Sequence, residues 1–188
     1  MSSAPAHEVS HDSAEIHLAQ LPHHLFLFNS IGNHVLMTVI VISVAMSNPL
    51  LTLLIPAISF SIIAYTLIRG SRLLRHPSLL VRAHWAIVMR RTKIFLIGYA
   101  TLATASSLAW LFYTYAGAMK ELMFALVGGL GLLPMMVLVL ALTIIESETL
   151  NHAGQGFVPD WARRRFGSEE EIRALERELE GATEAAQS

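Results

Sequence analysis

Four stretches of the chain, residues 25–46, 50–68, 94–116 and 122–145, contain no Asp, Glu, Lys or Arg. No other feature restricts the fold as much. A helix needs about 20 apolar residues to cross the hydrocarbon core of a bilayer, roughly 30 Å thick, and each stretch is long enough to cross once. Strands of a membrane barrel alternate apolar and polar residues over about ten positions, a pattern absent here. Helices of a soluble four-helix bundle keep a polar face, whereas residues 35–44 and 135–145 carry apolar side chains all round the wheel.

Composition closes other routes. Hydrophobic residues make up 54 % and charged residues 14 % of the chain, against about 25 % charged in soluble domains. Disorder needs the opposite balance. The chain has no cysteine, which excludes a disulfide framework, thiol catalysis, iron–sulfur clusters and cysteine zinc sites. Residues 1–24 lack Lys and Arg, carry Glu8, Asp12 and Glu15, and hold no apolar run before Leu25. They read as a polar, histidine-rich terminus rather than a targeting signal.

Charge placement sets the expected orientation. Of thirteen Lys and Arg, seven lie in residues 69–93 and five after residue 145, leaving only Lys120 elsewhere. Four crossings put the middle segment and both termini on one side, and the positive-inside rule makes that side cytoplasmic. The expected fold is therefore an all-α integral membrane protein of the inner (cytoplasmic) membrane. Its four transmembrane helices form two antiparallel hairpins, N-in and C-in, joined by a cytoplasmic basic loop over 69–93. A cytoplasmic tail, 146–188, follows. In it Ser168 and Glu171 form a capping box for a charged amphipathic helix over about 168–181, with Ile172, Leu175 and Leu179 on one stripe. Residues 78–93 read as an extension of the third span, because no Gly or Pro separates them from Ile94; the alternative is a helix lying on the membrane surface.

Helices in lipid associate through small residues and interhelical hydrogen bonds. Gly98, Ala105 and Ala109 on span three, and Ala125 and Gly129 on span four, are the expected packing positions. The run Gly128, Gly129, Gly131 ahead of Pro134 predicts a kink, since proline removes a backbone donor; Pro56 predicts a milder bend. Trp161 with Arg163, Arg164 and Arg165 suits an anionic lipid surface.

Candidate chemistry is sparse. His34 lies inside span one with Asn29, Ser30 and Asn33 nearby, and polar groups at that depth find interior partners. Asn29, Asn33 and His34 form the candidate cofactor-binding group, with quinone or haem as the cofactors to consider and no cofactor as the default. His7 and His11, four apart, would share a helix face and form a weak metal site. His23 and His24 read as an interfacial flank, and Glu146, Glu148 and His152 as the polar end of span four. No span so bounded holds the acid that proton-coupled carriers need, and no catalytic residue is assigned. The function expected is a non-catalytic accessory, anchor or assembly subunit of a larger membrane complex. Its partners are the bilayer and other membrane subunits or a second copy, not nucleic acid. The alternatives are a redox-complex subunit with a quinone or haem pocket, and a small transporter or channel.

Overall fold

The computed structural model describes residues 12–45, 48–170, 172, 173 and 177. It is 89 % helix, with no strand among the described residues, and four of its helices are long and apolar enough to span a membrane. The expected all-helical class holds.

The first long helix starts well before Leu25. Asp12 caps it, accepting from the Ala14 amide at 3.3 Å, as short acidic side chains do at a helix start. α1, Ser13–Leu27, runs directly into a π-helical segment, Phe28–Met37, and then α2, Thr38–Ala45. Pro22 sits inside α1 and has no amide to offer the Leu18 carbonyl one turn back. The Trp85 indole N–H donates to that carbonyl instead, at 3.0 Å. A tertiary contact thus repairs the gap a proline leaves, which is why α1 passes through Pro22 unbroken.

Asn48 caps the second long helix by accepting from the Leu50 amide at 3.2 Å. A 3-10 turn, Pro49–Leu53, leads into α3, Leu54–Leu73. Pro56 therefore falls in the opening turn of α3 rather than in mid-helix. Residues 74–78 turn the chain, held by Arg82 donating to the carbonyls of His76 and Pro77 at 2.8 and 2.7 Å. α4, Leu79–Tyr115, is one uninterrupted helix of 37 residues. The segment 78–93 extends the third span, as the lack of Gly or Pro implied, and the basic segment 69–93 is helical apart from its short turn.

The last long helix consists of α5, Lys120–Leu126, a π-helical segment, Val127–Leu132, and α6, Leu133–Gly154. The break expected at Gly128–Pro134 is taken up as this π segment. Proline cannot donate and its ring crowds the carbonyl of the preceding turn, and the glycine run lets the backbone widen there. A short helix, α7, Asp160–Phe166, folds back onto α4. The tail helix expected over 168–181 falls largely outside the described residues.

Two apolar cores stack along the bundle. Ala19, Leu80, Ala83, Ile87, Ala153, Val158 and Ala162 form one, drawn from α1, α4, α6 and α7. Phe26, Ile63, Val88, Phe95, Met135 and Leu142 form the other, where α3 joins. Between these levels the same helices bury His23, His84 and Glu146 completely.

Candidate functional site

Most of the buried polar side chains among the described residues fall into two clusters. The first is charged. His23 Nδ1 lies 2.7 Å from Glu146 Oε1, and His23 Nε2 lies 2.9 Å from His84 Nδ1. His84 Nε2 reaches the Phe157 carbonyl at 3.0 Å. Arg91 pairs with the other carboxylate oxygen, Glu146 Oε2. One chain of contacts thus ties α1, α4, α6 and the turn between α6 and α7. A buried carboxylate is costly unless paired and hydrogen-bonded, and here both of its oxygens have partners.

This cluster corrects three expectations. His23 is no interfacial flank: its ring is fully buried, while His24 beside it is exposed. Glu146 is not the solvated end of span four, because α6 continues to Gly154 and Glu146 points inward with no exposure. Glu148 does remain exposed, on another face. The acid that the apolar windows lacked is therefore inside the fourth long helix, one residue beyond the window that ends at Ile145.

The second cluster is neutral. Asn29 Nδ2 donates to Ser59 Oγ at 3.1 Å, and Asn33 Nδ2 donates to Asn29 Oδ1 at 3.2 Å and to the Ile55 carbonyl at 2.9 Å. His34 Nε2 lies 3.1 Å from Ser59 Oγ and 2.8 Å from the Tyr99 hydroxyl. The π winding helps. Residues five apart diverge around an α-helix but come closer to one line when hydrogen bonds run i to i+5. Asn29 and His34, five apart, both reach Ser59. Two buried atoms, Ser30 Oγ and Asn33 Oδ1, have no partner. A cavity of about 10 Å³, lined by Phe26, Asn29, Ile63, Thr66, Thr92 and Phe95 among others, is large enough for about one water molecule. Its lining includes Asn29 of the neutral cluster and Thr92, next in sequence to Arg91.

The remaining expected residues divide. A Cβ placed on Gly98 would meet Leu138 Cδ2 at 2.6 Å and Met135 Sδ at 2.7 Å, so α4 and α6 approach closely there. Ala109 is buried, and Ala105 packs against Gly131, where an added Cβ would come within 2.9 Å of Leu102 Cδ1. Ala125 is exposed, and Gly129, like Gly128, has nothing within 4 Å of a built Cβ. Within the run 128–131 the close-approach glycine is Gly131. Trp161, Arg164 and Arg165 are exposed on α7, while Arg163 donates to the Val158 carbonyl at 3.2 Å. His7 and His11 lie outside the described residues. No group of three or more His, Asp or Glu among the described residues is arranged to hold a metal ion.

Fold and site together define an all-helical chain with the build of a multi-pass membrane protein, carrying a charged and a neutral polar cluster in its interior. No family model matches the sequence, and neither does any curated protein or solved structure.

Proposed function

We propose that the protein is a non-catalytic accessory, anchor or assembly subunit of a larger inner-membrane complex. It crosses the bilayer as two antiparallel helical hairpins with both termini cytoplasmic. Contacts at one end of the bundle support this orientation: Ser78 donates to Glu15 at 3.2 Å, and Arg82 donates to the Phe166 carbonyl at 3.2 Å. The start of α1, the turn before α4 and the tail helix α7 meet there. The Lys and Arg residues around that end are the sequence's cationic majority, which the positive-inside rule assigns to the cytoplasm.

The observation that carries the assembly reading is the bare glycine face of the fourth long helix. Gly131 is occupied by Leu102 and Ala105 of the same chain, whereas Gly128 and Gly129 face open space. Small residues at membrane depth allow another helix to approach closely. Purification in mild detergent tests this. Wild type is expected to bring down defined membrane subunits or a second copy, and Gly129→Leu is expected to lose them while its own helices stay folded. A partner set unaffected by Gly129→Leu would contradict the reading.

One observation favours a second reading, a redox-complex subunit contributing polar atoms to a quinone or haem pocket. Ser30 Oγ and Asn33 Oδ1 are buried and unpaired close to His34 in sequence. Buried orphans of this kind call for an explanation. An optical spectrum and a quinone extraction of the purified protein distinguish it from the first reading.

A further inference from the structure

The contacts around His23 do not balance if both rings are neutral and Glu146 is a bare carboxylate. A carbonyl only accepts, so His84 must present Nε2–H to Phe157. A neutral His84 then has a lone pair on Nδ1, and His23 must donate to it from Nε2. That leaves a lone pair on His23 Nδ1, 2.7 Å from Glu146 Oε1. Starting from the other side moves the conflict without removing it. If His23 donates from Nδ1 to Glu146, His84 must donate from Nδ1 to His23, and its bare Nε2 then faces the Phe157 carbonyl at 3.0 Å. His23, His84 and Glu146 are fully buried, so either mismatch sets two lone pairs face to face at a buried side chain, and an unmade buried hydrogen bond is expensive.

We propose that His84, His23 and Glu146 form a buried proton-binding site, which holds one proton more than two neutral imidazoles and a carboxylate. The proton sits between His23 Nδ1 and Glu146 Oε1, as an imidazolium facing a carboxylate or as a carboxyl donating to a neutral ring. Both forms contain the same number of protons and satisfy every contact in the chain. The charged and titratable groups around the site are Arg91, on Glu146 Oε2, and His152, which with Arg91 lies within electrostatic reach of His84. His17 and His24 on the same helix as His23 are exposed. Losing the proton to water forces one of two contacts open. The Phe157 end is the weaker, because that contact is only partly buried, whereas the His23–Glu146 contact is fully buried. The site thus links a proton to the docking of the turn that carries α7. This goes beyond the accessory-subunit reading and does not depend on it.

The test uses the full chain in lipid nanodiscs at about pH 8, where free histidine, with a pKa of about 6.5, is neutral. Nitrogen NMR of the histidine rings and the infrared band of a protonated carboxyl are read together, and His23→Gln identifies the signal from that ring. Wild type is expected to show either one imidazolium or one protonated carboxyl. Glu146→Gln is expected to show neither, because its amide N–H can donate to His23 Nδ1 and satisfy the chain with neutral rings. Neutral rings with no protonated carboxyl in wild type would overturn the proposal. So would an imidazolium at His23 that persists in Glu146→Gln. If that variant does not fold, the wild-type spectra decide the matter alone.

Discussion

The two halves of α4 are built on opposite rules. From Leu80 to Phe95 the helix buries Val81, Ala83, His84, Trp85, Ile87, Val88 and Thr92, and beyond Phe95 only Ala109 is buried. In that second half no exposed residue is charged and most are apolar: Ile97 is 66 % exposed and Trp110 60 %. Water would penalise such a surface, but lipid does not, since hydrocarbon tails are as apolar as the side chains. The first half instead buries the polar rings of His84 and Trp85 with a partner for each, and its exposed positions include Arg90 and Lys93. Exposed charge ends at Lys93 and exposed apolar surface begins at Ile94, so the surface of one helix changes from charged to apolar within a residue.

The polar clusters repeat the contrast. The charged one joins α1, α4 and α6 with no fully buried side-chain nitrogen or oxygen left unpaired among its described members, whereas the neutral one leaves two such atoms unpaired. The largest expected effect follows from this. Glu146→Leu should destabilise the fold by about 3–5 kcal/mol, the cost of removing the buried group that pairs both Arg91 and His23. Reversible unfolding in mixed micelles measures it, and a loss under 1 kcal/mol would mean that the charged cluster does not hold the helices together.

Overpacking comes next. Gly131→Leu should cost about 1–3 kcal/mol by forcing α4 and the fourth long helix apart, while Gly129→Leu should leave the stability of the isolated chain nearly unchanged. Equal losses in thermal denaturation would show that the open side of the helix is not open. Trp85→Phe keeps the ring packing but removes the donor to the Leu18 carbonyl. It should cost about 1 kcal/mol, with hydrogen exchange rising locally around Leu18 to Pro22 of α1; exchange that stays uniform along α1 would show that the indole does not serve the proline gap. His34→Gln should have the smallest effect, under about 1 kcal/mol, because glutamine retains a donor and an acceptor for Ser59 and Tyr99. The same variant bears on the redox reading. Loss of a visible absorption band present in wild type would make His34 a haem ligand and reverse the ranking of the two clusters.

Much of the neutral cluster was legible. Asn29, Asn33 and His34 were marked by being polar inside an apolar run, and the structure brings all three to α3. The charged cluster was missed because apolar windows end at the first charge. A different signal was present: Leu142, Glu146, Thr149 and Ala153 follow at steps of four, three and four and are all buried. Ala19, His23 and Phe26 do the same on α1. A polar residue occupying a core position of a helical stripe is the pattern that marks both His23 and Glu146.

By itself the sequence determined the number of long helices and their apolar middles, because bilayer thickness acts on each segment separately and needs no partner. It also determined that segment 78–93 continues into span three, a local property of a run without Gly or Pro. Only the tertiary structure decided which polar groups meet. His23 lies 123 residues from Glu146 and 61 from His84, and their contact depends on how each helix is rotated and shifted against the others. In lipid no difference in hydrophobicity marks the inward face of a helix, so that rotation is set by a proline gap filled by Trp85, by glycines that admit a neighbour, and by buried charges that must be paired.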